Sequence, residues 1–302
     1  MRVSLIAVPY DLGRADVGSG LGPAAYLKAG AAETLRARGH EVEIVTVRRT
    51  APFTDELQAV LDVDEAVATA VDDAVLNGSF PLVVAGNCNV ALGIHAGLQR
   101  AGEPGAALVW LDAHGDFNTP VTTETGYLDG MPLAMLCGRA HREAVAAALT
   151  MDPLDEATIV HAGGREFDRV EHDSLLASAI RLVDGAELRA RGPAEALAQA
   201  LTELAVDRRD LLGLEPEDAP PAHLHVDLDV LDPAAAPGVM FPSPHGLTAA
   251  QLLEAIDLVR ERFTLAAVTV TSFTPGRDEA GTTLAAGLAV LQRVTTELAR
   301  RS

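Results

Sequence analysis

Short apolar runs rich in β-branched residues alternate along the chain with Ala- and Leu-rich stretches. The runs have the length and composition of buried strands, and the stretches carry apolar residues at the i, i+3, i+4 spacing of an amphipathic helix. This alternation predicts an α/β protein whose mostly parallel, eight-stranded sheet is covered by helices on both faces. The predicted strands are 2–8, 42–47, 81–85, 107–111, 158–161, 180–183, 222–228 and 265–271, and the predicted helices are 23–38, 56–77, 89–101, 141–149, 193–206, 248–262 and 281–300.

Chain organisation favours one domain over residues 1–302. Neither an internal repeat nor a linker divides the sequence, and 302 residues are enough for one large core. Residues 207–221 are charged and proline-rich, which predicts a surface loop.

Composition limits the partners of the protein. There are 43 acidic and 23 basic residues, a net charge of −20, so binding to nucleic acid or to an anionic membrane is not expected. The two cysteines are too few for a disulfide framework. Because the opening run MRVSLIAVPY has the pattern of a strand and no apolar run has the length of a membrane span, we expect a cytoplasmic protein.

The most informative segment is LVWLDAHGDFN, residues 108–118, where a buried strand leads into D-x-H-x-D. In an extended strand end, Asp112, His114 and Asp116 would point the same way. Two neighbouring carboxylates repel each other unless a proton or a cation neutralises them. Ligand sites in parallel sheets lie beyond the carboxyl ends of the strands, which is where these residues are expected.

A second acidic segment, HVDLDVLDP (residues 225–233), follows another predicted strand. Asp227 and Asp229 are again two residues apart, and His225 lies one pleat earlier on the same face. Two such segments bring four carboxylates and an imidazole to one sheet edge, a density of charge that divalent cations would neutralise. Oxygen-rich ligands with one or two nitrogens suit Mn²⁺, and the number of ligands is enough for two ions. Two ions held close together can activate water at neutral pH.

Two further strand ends carry polar groups. In VVAGNCNVALG, Cys88 opens a helix, where the helix dipole would lower the pKa of the thiol. In HAGGREFD, Arg165, Glu166 and Asp168 would form either a local ion pair or a contact for a substrate ammonium group.

These segments together resemble the arginase/agmatinase (ureohydrolase) family of two-manganese hydrolases, over nearly the whole chain. DAHGD and DLDVLDP match the family's two aspartate motifs, and the glycine-rich opening and the loop 116–132 also resemble the family. The resemblance implies a three-layer α/β/α fold, two Mn²⁺ ions and a small guanidino or amidino substrate. Members are often homo-oligomers.

Metal ligands can be carried over by position. The resemblance implies that Asp112 and Asp227 bridge the two ions. Asp116 would complete one ion, and His114 with Asp229 would complete the other.

Substrate contacts can be carried over in the same way. Asn118 and Thr125 match residues that contact the α-carboxylate of an amino acid, and Asp168 matches the acid near its α-amino group. This favours an arginine-like amino acid over a bare amine.

The sequence departs from the family at three chemically important positions. Cys88 stands where the family has a His ligand, and a thiolate would make that ion a weaker Lewis acid. Asp129 stands in place of the His that relays protons in arginases, and Ser272 in place of the Glu that pairs with the guanidinium.

The departures together suggest Nω-hydroxy-L-arginine as the substrate, because its hydroxyguanidine is less basic and can bind uncharged. The Cys-for-His exchange also resembles the branch of the family that converts this compound to hydroxyurea and L-ornithine in antibiotic biosynthesis. Asp229, Asp129 and His245 are candidates for the group that protonates the leaving amine.

Other readings remain open. Within the family, the activity could be that of an arginase, agmatinase, guanidinobutyrase or formiminoglutamase. Outside it, the absence of the relay His and of the Glu suggests a metal-binding homologue without activity. A third alternative is a thiol enzyme with Cys88 as the nucleophile.

Overall fold

A parallel sheet of eight strands forms the centre of the computed structural model, which describes residues 1–103 and 105–296. The strand order is β4-β1-β5-β10-β9-β6-β7-β8, and every neighbouring pair is parallel. Two further short strands, β2 and β3, form an antiparallel hairpin. The strands are β1 (Arg2–Val8), β2 (Tyr10–Asp11), β3 (Arg14–Ala15), β4 (Glu41–Thr46), β5 (Phe80–Ala85), β6 (Ala107–Leu111), β7 (Ile159–Ala162), β8 (Arg181–Val183), β9 (Pro221–Asp227) and β10 (Thr264–Thr271).

Helices cover both faces of the sheet, as the sequence predicts. The apolar side chains of α1, α2 and α8 to α12 pack against one face, and those of α3 to α7 pack against the other. The helices are α1 (Gly22–Lys28), α2 (Ala31–Ala37), α3 (Glu56–Leu76), α4 (Ala91–Arg100), α5 (Pro132–Leu136), α6 (Arg142–Leu149), α7 (Arg169–Leu176), α8 (Gly185–Arg191), α9 (Pro193–Ala196), α10 (Ala198–Leu212), α11 (Ala249–Arg262) and α12 (Thr282–Thr295).

The predicted three-layer fold and all eight predicted strands are confirmed, and every strand end lies within one residue of its prediction. The predicted surface loop 207–221 is wrong over its first part, because α10 continues to Leu212. The predicted helix 23–38 is divided at Gly30, whose φ of +82° ends one helix and starts the next. The last four residues of the predicted helix 281–300 lie outside the described residues.

Alternation along the strands separates the two faces. In β6, Ala107, Val109 and Leu111 face α1, α2 and α8 to α12, whereas Leu108 and Trp110 face the α3–α7 side. A residue two positions beyond Trp110 continues on the α3–α7 side. Polar residues that follow the strands and keep this alternation therefore lie beyond the strand ends on the α3–α7 side of the sheet.

The loops with candidate chemistry follow neighbouring strands. Four of them come after β5, β10, β9 and β6, which lie side by side in the centre of the sheet, and a fifth comes after β7, which is adjacent to β6. Because all these strands are parallel, their carboxyl ends meet at one edge.

None of the helices in residues 1–103 and 105–296 combines the length and the apolar character needed to cross a membrane.

Candidate metal centre and substrate cavity

A cavity of about 440 Å³ opens at the carboxyl edge of the central strands. All five strand-end loops contribute to it, and the loop after β6 does so along its length from Asp112 to Gly130. Side chains that line it and bear on the chemistry are Cys88, Asp112, His114, Asp116, Asn118, Thr125, Tyr127, Asp129, Asp168, Asp227, Asp229, Phe241 and Ser272.

The side chain of Asp112, the first aspartate in the loop after β6, stabilises the turn of that loop. Asp112 Oδ1 accepts a hydrogen bond of 2.7 Å from the backbone N–H of His114. The extended strand end expected from the sequence does not continue, since Asp116 has a φ of +51°. The three side chains still line one cavity, but a turn and not a pleat brings them together.

The loop after β9 is stabilised in the same way, by a hydrogen bond from a backbone N–H to an aspartate side chain. Asp227 Oδ1 accepts a hydrogen bond of 2.8 Å from the backbone N–H of Asp229, the first turn of a short 3-10 helix over Leu228–Val230. Asp229 in turn reaches the β6 loop, where its Oδ2 lies 3.1 Å from His114 Nδ1 and its Oδ1 accepts from Ala113 N–H at 3.2 Å. The two acidic segments are thus in direct contact.

Cys88 faces both segments from the end of β5. Its Sγ lies 2.9 Å from Asp227 Oδ2 and 3.9 Å from Asp112 Oδ2. Burial and the nearby carboxylate of Asp227 raise the pKa of this thiol, so the lowering expected from the helix dipole is wrong. A buried thiol with a raised pKa is a poor free nucleophile, whereas metal coordination deprotonates a thiol outright.

The electrostatics of the cluster fit a cation. Burial, followed by repulsion from neighbouring carboxylates, raises the pKa of Asp116 and of Asp227 well above the ordinary range. Although burial opposes it, Asp229 and Asp112 raise the pKa of His114 to about 12. Asp116 Oδ2 is buried without a hydrogen-bond partner. A divalent cation would satisfy this orphaned oxygen and offset the repulsion among the acids.

Donor spacing agrees with this interpretation. Asp112, His114 and Asp229 each offer a donor atom, and these atoms lie within 4.8 Å of one another. Thiolate, imidazole and carboxylate groups are all common ligands of divalent transition metals. The residues present therefore fit a metal centre at this edge.

Asp129 joins the loop 116–132 to the loop that carries Cys88. Its carboxylate accepts from Asn87 Nδ2 at 2.7 Å and from the backbone N–H of Asn89 at 3.1 Å. Burial raises its pKa to about 8 despite these two hydrogen bonds.

Residues predicted to contact the amino-acid end lie at the outer part of the cavity. Asn118 Nδ2 donates to Asp168 Oδ2 at 3.0 Å, and Thr125 is exposed in the same loop. Asp168 is also the N-cap of α7, within a capping box completed by Glu171. The structure thus gives Asp168 a structural role that the sequence analysis did not consider.

Ser272 lies at the inner end of the cavity. Its hydroxyl donates to Asp227 Oδ2, and its φ is +67°. Its backbone N–H donates to the Gly86 carbonyl at 3.2 Å, which ties it to the start of the Cys88 loop.

His245 does not line this cavity, which corrects its prediction as a proton donor. It is exposed, contacts Arg189, and lines a separate surface depression with Ser243 and Pro244. Although Phe241 in the same segment lines the cavity, His245 does not.

Arg165 has a role that the sequence analysis missed. Among the described residues it forms no ion pair, and it does not line the cavity. Instead its guanidinium donates to backbone carbonyls, including Asp229 at 2.8 Å and Ser243 at 2.9 Å. It therefore braces the loop that carries Asp229. Carbonyl partners of this kind leave no signal in a sequence.

Glu171 braces the other acidic loop. Its Oε1 accepts from the backbone N–H of Phe117 at 2.9 Å, and a Cβ at Gly115 would lie 2.6 Å from its carboxyl carbon. Glycine is the residue that permits this approach. The pattern Asp168-x-x-Glu171 could have indicated the capping box, but not this contact.

Comparisons with known proteins agree with the fold and the site. A model of the arginase family matches residues 1–296. An arginase from Bacillus caldovelox is 30% identical over 299 residues, which cover 96% of each chain. The crystal structure of arginase from Bacillus subtilis superposes with a TM-score of 0.82 at 27% identity and covers 99% of this chain and 100% of that one. The fold is also similar to formimidoylglutamase from Bacillus subtilis, with a TM-score of 0.72 at 18% identity over 97% of this chain and 85% of the other.

Fold and site together define a hydrolase of the three-layer α/β/α class that acts on amidine groups. The chain belongs to the arginase family, whose members are metal-dependent amidinohydrolases that typically use two manganese ions. The ureohydrolase resemblance seen in the sequence is thereby confirmed.

Proposed function

We propose that the protein hydrolyses Nω-hydroxy-L-arginine to hydroxyurea and L-ornithine with two Mn²⁺ ions. The observation that carries the substrate assignment is the uncharged Ser272 at the inner end of the cavity, hydrogen-bonded to Asp227. The family resemblance leads us to expect there a Glu that pairs with a guanidinium cation.

Six side chains would hold the two ions. We infer that Asp112 and Asp227 would help to hold both ions, because Asp227 Oδ2 lies 2.9 Å from Cys88 Sγ and Asp112 Oδ1 lies 3.6 Å from His114 Nδ1. When bound, such a pair activates a water molecule as a nucleophile at neutral pH. The remaining ligands would be Cys88 and Asp116 for one ion and His114 and Asp229 for the other.

The polarity of the inner cavity favours a less basic substrate. A guanidinium needs a carboxylate partner when it is removed from water, because an unpaired buried charge is costly. A neutral hydroxyguanidine needs only hydrogen-bonding groups, which the hydroxyl of Ser272 supplies. This end of the cavity therefore selects for the N-hydroxylated compound.

Proton balance requires a donor for the departing amine. Water adds to the guanidino carbon, the bond from that carbon to the δ-nitrogen breaks, and the nitrogen of ornithine gains a proton. Asp129 lines the cavity, and burial raises its pKa to about 8, which favours the protonated form of this carboxyl. We assign it this role in preference to Asp229, whose carboxylate contacts His114.

The outer cavity fits an α-amino acid. Asp168 offers a half-buried carboxylate for an α-ammonium group, and Asn118 and Thr125 offer donors for an α-carboxylate. Bare amines such as agmatine lack the carboxylate that these donors would bind.

Steady-state kinetics of the Mn²⁺-loaded protein with L-arginine and Nω-hydroxy-L-arginine test the proposal. We expect a higher kcat/KM for the hydroxylated substrate. Faster turnover of plain arginine contradicts the proposal, and turnover of neither compound supports a homologue without activity. The variant Ser272→Glu should shift the preference towards L-arginine, whereas Ser272→Ala, which adds no charge, should not.

L-Arginine hydrolysis is the second candidate. It is favoured by relatives at 27% and 30% identity that are named arginases and match along nearly their whole length. The same assay separates the two activities.

A further inference from the structure

His225 is a buried imidazole without a hydrogen-bond partner. It lies on β9 two residues before Asp227, its exposed fraction is 0%, and neither Nδ1 nor Nε2 makes a hydrogen bond. Its ring stacks on the Trp110 indole with centroids 3.7 Å apart and planes at 11°. Burying polar atoms without partners is unfavourable, so unsatisfied groups of this kind usually have a ligand or a function.

The histidine one pleat earlier shows that this layer can satisfy an imidazole. His223 Nε2 lies 2.6 Å from Thr269 Oγ1, and its Nδ1 lies 3.2 Å from His95 Nε2. His223 and His225 share a strand and a face, yet only the ring nearer the metal centre lacks partners. The lack of hydrogen-bond partners is therefore specific to His225, the ring next to the proposed metal centre.

Two candidate metal ligands lie within reach of this ring. A nitrogen of His225, Sγ of Cys88 and a carboxylate oxygen of Asp112 lie within 4.8 Å of one another. Ligand atoms bonded to one ion at about 2.0–2.6 Å are separated from each other by no more than about 5 Å. The three atoms therefore meet the spacing required for a single ion.

The length of the Cys88 side chain explains why a ligand from the sheet would be needed. The sequence resemblance places a His at this position in the family. A thiol is shorter than an imidazole, so an ion held by Cys88 would lie closer to the ends of β5 and β9. His225 approaches from that side, since its ring lies in the layer beneath the cavity.

We propose that His225 is an additional metal ligand, which binds the same ion as Cys88 and Asp112 and supplies the imidazole that position 88 lacks. The inference rests on the proposed metal centre but not on the proposed substrate. A set of thiolate, imidazole and carboxylate ligands is softer than an oxygen-rich set, so we also expect this ion position to discriminate less against Co²⁺ and Zn²⁺.

Metal titration of the chelator-treated full chain tests the proposal. Calorimetry with Mn²⁺ should show two ions bound to the wild type and a Kd for one of them raised ~10-fold or more in His225→Phe, which keeps a ring against Trp110. His223→Gln is the matched control and should bind both ions as the wild type does. Unchanged affinity in His225→Phe, or an equal loss in the control, overturns the proposal. Failure of the wild type to bind Mn²⁺ instead overturns the metal centre itself.

Pulsed EPR provides a test that does not need the His225 variant to fold. In the variant His114→Ala, labelled with ¹⁵N-histidine and loaded with one equivalent of Mn²⁺, a nitrogen coupling should persist because His225 still binds the ion. Loss of every imidazole coupling in this variant would show that His225 is not a ligand.

Discussion

Cys88 has the chemistry of a ligand and not of a free thiol. It is 2% exposed, and burial together with Asp227 raises its pKa. In this environment the thiolate forms only if a cation stabilises it. The residue that departs most visibly from the family is thus compatible with the same metal centre.

Replacement of Cys88 should weaken metal binding selectively. We expect Cys88→Ala to raise the Kd for one Mn²⁺ ion ~10-fold or more, because the ion loses a direct ligand. Cys137→Ala is the control, since Cys137 is half-buried and does not line the cavity. Isothermal titration calorimetry measures both variants, and equal affinities for Cys88→Ala and Cys137→Ala would contradict the assignment.

Replacing Asp129 and replacing His245 should have different effects on kcat, because only Asp129 is assigned as the proton donor. Asp129→Asn should lower kcat by about 10²-fold or more, since general acid catalysis contributes that much and the amide cannot supply the proton. His245→Ala should leave kcat unchanged, because His245 is exposed outside the cavity. Steady-state rates with the preferred substrate decide between them. A large effect of His245→Ala with none of Asp129→Asn would reverse our assignment.

At the scale of elements, the sequence predicts strands better than helix ends. The central strands β5, β6 and β9 are short apolar runs buried on both faces, and this pattern has few alternatives. The sequence-based prediction ends this helix at residue 206, because the charged residues 207–210 suggest a loop, whereas α10 continues beyond them. Its buried positions Leu201, Leu204, Ala205 and Arg208 nevertheless continue the helical spacing through that segment. A charged residue on the exposed side of a helix does not end it.

Tight packing between the opening hairpin and the β5 end fixes the Cys88 loop. A Cβ added at Gly86 would lie 2.1 Å from the backbone oxygen of Tyr10. Neither backbone can move without disturbing β1 or β5, so the glycine is required by this close approach.

Gly86→Ala should therefore lower the free energy of unfolding by about 1–3 kcal/mol, the usual cost of overpacking. Gly276→Ala serves as the control, since a Cβ at that position meets nothing within 4 Å. Urea unfolding of the metal-free proteins measures the difference. The expectation fails if the two variants unfold at the same urea concentration.

For the whole molecule, four buried acidic side chains are concentrated at one edge of the sheet. The carboxylates of Asp112, Asp116, Asp227 and Asp229 are all at most 5% exposed and contribute to one cavity. Their mutual repulsion opposes folding unless cations or protons compensate for it.

Metal removal should consequently destabilise the protein. An ion at 100 times its Kd adds ~2.7 kcal/mol to the stability of the folded state for each site. We expect the melting temperature to fall after exhaustive chelation and to recover when Mn²⁺ is added. Differential scanning calorimetry provides the measurement, and a chelated protein that melts at the same temperature as the Mn²⁺-loaded one would speak against the centre.

The sequence indicated which strand ends would form the site, but not how the loops are held. D-x-H-x-D and D-x-D after two strands were sufficient to predict a cluster of acids, because parallel strands end at a common edge. The contacts by which Arg165 holds its loop are made to backbone carbonyls. The notable feature of His225 is that its ring nitrogens lack hydrogen-bond partners. Both depend on three-dimensional neighbours and leave no pattern in the chain.

The most direct test of the account is a crystal structure of the Mn²⁺-loaded protein with anomalous diffraction measured at the manganese edge. We expect two anomalous peaks, each about 2.0–2.6 Å from its ligand atoms, among the side chains of Cys88, Asp112, His114, Asp116, Asp227 and Asp229. Absence of both peaks from this cluster, in crystals of a protein that still turns over its substrate, would contradict the central claim.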